Sequence, residues 1–425
     1  MTSAGYDEGL MTQMPETAPL CKILSCLSRS IDLVSRRAAH HHEQVSFIAL
    51  AIAEELGYEG SRRTRLFSAA CLHDVGAFSA SQLINRLDFD AADRDGHAEI
   101  GYRLLRGFEP MRPAADIVRF HHLPWQQGIG RFRRGAGVPE EAHLLHLADR
   151  VAISIDRTSE VLGQSELIVG RVQDHSGSLF IPEQIEAFTS LARKDSFWSD
   201  MVSPRLEEAL FRKAPSSGLR LDPQTLLAMG KMFSRIIDFR SPFTAAHSSG
   251  VAATAQALAA AAGLSEADCL LMRVAGLIHD LGKLAVPTDI LQKAGRLTRE
   301  EFNSIRSHPF HTTRNLGASE VLGTIAHWGA LHHERPDGTG QQSSLGARIV
   351  ALADVFTALA ENRPYRAGLQ RKEALSIIAQ MASAGTLDGS VVALLRANYR
   401  DIDSARVAAQ AETIADYRDF LDGRN

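Results

Sequence analysis

The 425-residue chain has only four cysteines, and no two form a CxxC pair. Cys21, Cys26, Cys71 and Cys269 lie in apolar, helix-like contexts, so a disulfide framework and thiolate metal sites are excluded and the reduced core thiols of a cytoplasmic protein are expected. Charge of one sign is lacking as well: 46 Lys+Arg against 50 Asp+Glu leave a formal −4, which supplies no general attraction to nucleic acid or anionic lipid. No long hydrophobic run occurs. The most apolar stretch, Val251 to Leu264, is interrupted by Thr254 and Gln256 and is too short to span a bilayer, so no membrane partner is expected. Met1 to Leu20 carries acids and a proline without a basic start, which excludes an ordinary signal peptide. The alternation of apolar and polar residues that marks strands is almost absent.

Histidine next to aspartate is present, in a repeated order. Gly276-Leu277-Ile278-His279-Asp280-Leu281-Gly282-Lys283 places an imidazole and a carboxylate at the end of an apolar run. Upstream lies His247; downstream lie His308, the pair His332-His333, and Asp354 within Val350-Ala351-Leu352-Ala353-Asp354-Val355. Seven nitrogen and oxygen donors without a thiolate suit a pair of first-row divalent ions better than a structural zinc. The first half repeats the order as His41, His73-Asp74, His97, His121-His122 and Asp149. The spacings agree: 73−41 = 32 and 279−247 = 32, while 121−97 = 24 and 332−308 = 24. The offset between halves, from 354−149 = 205 to 308−97 = 211, is far longer than a solenoid period, so the chain reads as a duplication giving two domains. His40 and His42 flank His41 without keeping the spacing and read as surface neighbours.

The apolar spacing is helical throughout. Ile23, Leu24, Leu27, Ile31 and Val34 make an amphipathic helix of Cys21 to Arg37, and Val45, Ile48, Ala49, Ile52 and Leu56 form one stripe behind His41. Leu66 to Leu72 leads into His73-Asp74, Ala98 to Leu105 follows His97, and Ala142 to Ile155 carries Asp149. In the second half Leu226, Leu227, Met232, Phe233, Ile236 and Ile237 share one helix, and Val251, Ala255 and Leu258 follow His247. The expected fold is all-α: two tandem helical bundles, each with a central metal site. Residues 1–19 are expected to be a disordered lead, 20–214 the first domain, 215–221 a linker broken at Pro215-Ser216-Ser217-Gly218, and 222–425 the second domain.

Both halves resemble HD-domain metal-dependent phosphohydrolases over residues 20–200 and 222–400, and the second resembles the HD-GYP type. That likeness rests on His279-Asp280-Leu281-Gly282-Lys283, on Lys293-Ala294-Gly295-Arg296-Leu297-Thr298 leading to His308-Pro309, on His332-His333-Glu334-Arg335-Pro336-Asp337-Gly338-Thr339-Gly340, and on Asn362-Arg363-Pro364-Tyr365-Arg366. It implies a cytoplasmic bacterial phosphodiesterase that opens cyclic di-GMP with bound ions, commonly iron or manganese. By the same analogy His247, His279 and Asp354 hold one ion and His308, His332 and His333 the other, with Asp280 bridging. Two such cations lower the pKa of a water between them, giving a bridging hydroxide, and neutralise phosphoryl charge. Lys283 and Arg366 are candidates for contacting the substrate phosphates.

Two departures stand out. Gly340 leads through Gln341-Gln342-Ser343-Ser344 almost directly into Leu345, so the GYP loop is missing. Phe243 stands where trinuclear members carry a glutamate, so two ions per site are expected. The first half has Ala77 in place of Lys283, with Arg131, Arg133 and Arg134 as alternative cations. Mixed nitrogen and oxygen sites also accept zinc, nickel or cobalt. Three readings therefore compete: a cyclic dinucleotide phosphodiesterase acting through the second half, an HD phosphohydrolase for another nucleotide, and a metal- or nucleotide-sensing scaffold. Oligomeric state is not legible.

Overall fold

The computed structural model describes residues 17–34, 40–77, 95–133, 135–238, 246–293, 295–317, 320–331, 344–362 and 367–421. They fold as helices with only a few two- or three-residue strands, in two compact units, one of Pro19–Leu219 and the other of Arg220–Asn425 with the residues up to Ala18. Of the lead expected over residues 1–19, only Thr17–Pro19 is described, as a short strand. No described helix is long and apolar enough to cross a membrane.

The first unit contains α1 (Leu20–Asp32), α2 (His41–Glu55), α3 (Gly60–Leu72), α4 (Asp95–Arg106), α5 (Arg112–Phe120), α6 (Glu140–Ile153), α7 (Ser165–Gln173), α8 (Pro182–Ala192), α9 (Asp195–Val202) and α10 (Leu206–Lys213). Its axis is α2. The sequence predicts a one-sided stripe here, but every residue from His41 to Ala53 is buried. Phe47, Leu50 and Ala51 fill the faces left by Val45, Ile48 and Ile52, and α3, α6 and α10 pack around the helix. The amphipathic helix expected over Cys21 to Arg37 is shorter, because α1 ends at Asp32; residues 35–37 lie outside the described set.

The second unit contains α11 (Pro223–Asp238), α12 (His247–Ala261), α13 (Glu266–Ile278), α14 (Thr288–Leu291), α15 (Arg299–Arg306), α16 (His308–Leu316), α17 (Glu320–Ala330), α18 (Leu345–Ala360), α19 (Arg371–Ser383), α20 (Gly389–Ala397) and α21 (Tyr399–Leu421). Here α12 is the axis, packed by α13, α18 and α21. A Cβ at Gly276 would lie 2.6 Å from the Ala252 Cα, so the two small residues let α12 and α13 meet backbone to backbone. The Ser265 and Ser344 hydroxyls accept a backbone N–H at the starts of α13 and α18, which define where these two helices begin.

Candidate metal centres

In each unit the first histidine opens the central helix and the His-Asp pair follows the next one. His41 begins α2 and His73-Asp74 closes α3; His247 begins α12 and His279-Asp280 closes α13. Because α2 lies against α3 and α12 against α13, residues 32 apart in sequence become neighbours. His41 Nε2 lies 3.3 Å from His73 Nε2, and the His247 and His279 rings are 5.8 Å apart. The next histidine needs a close approach of backbone to backbone. A Cβ at Gly76 would sit 2.2 Å from the His97 carbonyl oxygen, and one at Gly282 would sit 1.8 Å from that of His308, so both turns require glycine.

All seven predicted positions of the first unit are buried and converge. Asp74, His97, His121 and His122 form one group whose ligand atoms lie within 4.8 Å of one another, and His41, His73 and Asp149 form another. Asp74 Oδ1 is 3.2 Å from His97 Nε2, and Asp149 Oδ1 is 3.2 Å from His41 Nε2. Asp149 Oδ2 instead accepts from the buried Arg150 guanidinium at 2.5 Å. In the second unit the described ligands also meet: His279 Nε2 is 3.2 Å from Asp280 Oδ2, His308 Nε2 is 3.3 Å from Asp280 Oδ1, and His247 Nε2 is 3.0 Å from Asp354 Oδ1. His332, His333, Arg366, Phe243 and Arg134 lie outside the described residues.

The ring tautomers follow from the helix ends. His73, His121, His279 and His308 each donate Nδ1–H to the carbonyl three residues earlier, at Ala70, Val118, Gly276 and Ile305. Nε2 is then a lone pair aimed into the cluster. Burial holds the His73 ring down to about 4 and keeps His121 and His122 well below an ordinary imidazole, so these rings stay neutral. Ring nitrogens face one another at 3.2 to 3.4 Å across the cluster, a spacing that calls for a proton or cation between them. Adjacent ligands on an ion with ~2.1 Å bonds stand roughly 3 Å apart, so the residues fit a divalent ion.

His247 is oriented differently. Its Nδ1 contacts the Glu361 carboxylate at 3.1 Å while Nε2 faces Asp354. Burial opposes its charge, but the bonds to Asp354 and Glu361 outweigh burial and push the ring up to about 10. Burial also works to raise Asp280, yet His279, Lys283 and His308 hold it well below the usual carboxylate range. Lys283 Nζ lies 2.5 Å from Asp280 Oδ2. Among the alternative cations of the first unit, Arg131 stacks on Trp125, and Arg133 lines a cleft with Arg103 and Arg119, both of which pair with Glu99.

Sequence reasoning missed three residues. Glu361 lies 361−354 = 7 positions after Asp354, and that two-turn step was its signal. Arg150, adjacent to Asp149, carried no mark beyond its neighbour. His42, read as a surface neighbour, is fully buried, whereas His40 is the exposed member of the triplet. Its signal was Asp32, ten residues before it, matched by Asp238 ten residues before Ser248.

Residues 38–153 and 231–391 each match a family described as HD domain. The 3'3'-cGAMP-specific phosphodiesterase 1 of Vibrio cholerae is 30% identical over 386 residues, spanning 86% of this chain and 88% of its own. The 3'3'-cGAMP-specific phosphodiesterase 3 of the same organism is 32% identical over 424 residues, spanning 87% and 92%. A cyclic di-GMP phosphodiesterase of Pseudomonas aeruginosa is 39% identical over 146 residues, or 32% of this chain and 35% of its own. The crystal structure of a cyclic GMP-AMP phosphodiesterase from V. cholerae superposes with a TM-score of 0.63 at 23% identity, covering 90% of this chain and 98% of that one, which establishes a shared fold.

Proposed function

The chain belongs to the HD-domain family of metal-dependent phosphohydrolases, and from that membership we propose that it is a cyclic dinucleotide phosphodiesterase whose second unit carries the hydrolytic site. One contrast between the units supports this assignment. In the second unit Lys283 stands 2.5 Å from Asp280, and the Asp354 side chain is 21% accessible. In the first unit Ala77 replaces the lysine, and Asp149 is 4% accessible with one oxygen taken by Arg150.

Two divalent ions held there, iron or manganese foremost, supply Lewis acidity toward the phosphoryl oxygens and acidify a water within reach. His247, His279, Asp280, His308 and Asp354 would hold them, with His332 and His333, outside the described residues, completing the expected set. Glu361 keeps the His247 ring in register by accepting from Nδ1. Asp280 reaches His279 with one oxygen and His308 with the other, so its carboxylate would serve both groups of donors. Lys283, whose Nζ lies 2.5 Å from Asp280 Oδ2, would set its ammonium against a non-bridging phosphate oxygen and stabilise charge as it builds there.

The relatives that match along most of the chain are named for 3'3'-cGAMP, whereas the cyclic di-GMP phosphodiesterase of P. aeruginosa matches about a third of it. We therefore rank 3'3'-cGAMP first and cyclic di-GMP, the substrate expected from sequence, second. The missing GYP loop agrees with a change of base preference. Protein loaded anaerobically with manganese or iron, assayed on both dinucleotides beside Asp280→Ala and Asp74→Ala, tests the reading. Linear product from 3'3'-cGAMP, abolished by Asp280→Ala and retained by Asp74→Ala, is expected. Turnover that survives Asp280→Ala would move the hydrolytic site to the first unit.

A further inference from the structure

His42 has no counterpart in the second half: 42+206 = 248 is Ser248, and 32+206 = 238 is Asp238. Both units therefore keep a buried carboxylate at the same place and set a different side chain on it. Ser248 donates its hydroxyl to Asp238 at 3.0 Å. His42 instead pairs Nδ1 with Asp32 Oδ1 at 2.5 Å, and its ring is fully buried. Its Nε2 is buried with no hydrogen-bond partner among the described residues. The ring lies 4.7 Å from that of His73, and ligand atoms of His42, His73 and Asp74 fall within 4.8 Å of one another. A carboxylate that fixes one ring nitrogen and turns the other toward a cluster of donors is the usual support of a metal-binding histidine.

We propose that His42 is an eighth ligand of the first unit's metal centre, giving Nε2 to the ion that His73 serves. The inference rests on the reading that the first unit binds metal. Since the His73 Nδ1 is committed to Ala70, its Nε2 serves one ion, and that ion is reached by His41 and Asp149 as one group and by His42 and Asp74 as another. Five side chains thus bear on one ion. Its counterpart in the second unit has four, His247, His279, Asp280 and Asp354, among the described residues. First-row ions with such donors take about six ligands. With five from protein, one position remains where hydrolysis of a phosphodiester needs room for a water and a phosphoryl oxygen. His42 therefore turns the first centre toward the closed kind that holds its ion tightly and reacts slowly. Ala77 and the Arg150 clasp on Asp149 act in the same direction.

The test is metal retention in the full chain. Wild type, His42→Ser and Asp74→Ala are loaded with manganese, desalted and exposed to EDTA, and the ions left per chain are counted over time by elemental mass spectrometry. Thermal unfolding is recorded for each with and without metal. Serine stands at this position in the second unit, so the substitution is compatible with the fold. His42→Ser is expected to release one class of ion ~10-fold faster or more, to show a shifted absorption spectrum in a parallel preparation loaded with cobalt(II), and to unfold like wild type when metal-free. Unchanged release, or equal destabilisation with and without metal, overturns the assignment and leaves His42 as a structural partner of Asp32. If Asp74→Ala also retains the wild-type ion content, the metal reading of the first unit itself fails; if only Asp74→Ala loses ions, the failure is confined to His42.

Discussion

Glu361 reaches across 114 residues of chain to hold the Nδ1 of His247 at 3.1 Å, and the Gln410 amide donates to the same carboxylate at 3.1 Å. Glu361→Gln keeps the shape of this contact and removes the charge. Metal affinity of the second unit should fall by ~10- to 100-fold, as outer carboxylate partners of ligating histidines generally show. Manganese titration by calorimetry reads the change, and an unaltered dissociation constant would remove Glu361 from the site.

Gly282→Ala and Gly76→Ala should each disable their own centre, since a Cβ would meet the carbonyl oxygen of His308 or His97 at 1.8 or 2.2 Å. Gly295→Ala and Gly96→Ala place their methyl groups in open space and serve as controls. Ion content per chain should drop for the first pair and stay at wild type for the second. Equal loss in all four would mean that the effect is one of glycine removal in general.

Lys283→Ala is expected to lower kcat by ~10²-fold with little change in KM, because the ammonium acts on charge that develops in the transition state. Steady-state kinetics on 3'3'-cGAMP decide it. A loss confined to KM would make Lys283 a ground-state binding residue.

The metal-free protein should carry a pH signature of His247. Its ring ionises at about 10 in the folded chain against 6.5 ordinarily, so its contribution to stability is complete below pH 6.5 and is lost as pH rises through 10. Thermal melts in EDTA between these limits should fall more steeply for wild type than for His247→Gln. With metal bound the sign reverses, because the ion competes with that proton and gains as pH rises.

The helical fold and the twofold organisation were legible because apolar spacing and the repeated 32- and 24-residue intervals survive duplication intact. The candidate ligands stood out by the same intervals; among the described ones His41, His73, His247, His279 and His308 lie at helix ends, whereas Asp149 and Asp354 lie within α6 and α18. What escaped notice was support: Glu361, Arg150 and the Asp32–His42 pair act through another side chain, so no metal-ligand spacing marks them. The one-sided stripe assigned behind His41 failed for a different reason. A helix surrounded by α3, α6 and α10 has no outer face, and its apolar residues continue all the way round.

The carbonyls of Ala70, Val118, Gly276 and Ile305 have a consequence for timing. A histidine free to exchange its proton between ring nitrogens makes an arriving ion wait for the right form; here the helix end has settled the matter as soon as it closes. These four rings therefore present their Nε2 before any ion arrives, and loading asks no rearrangement of them.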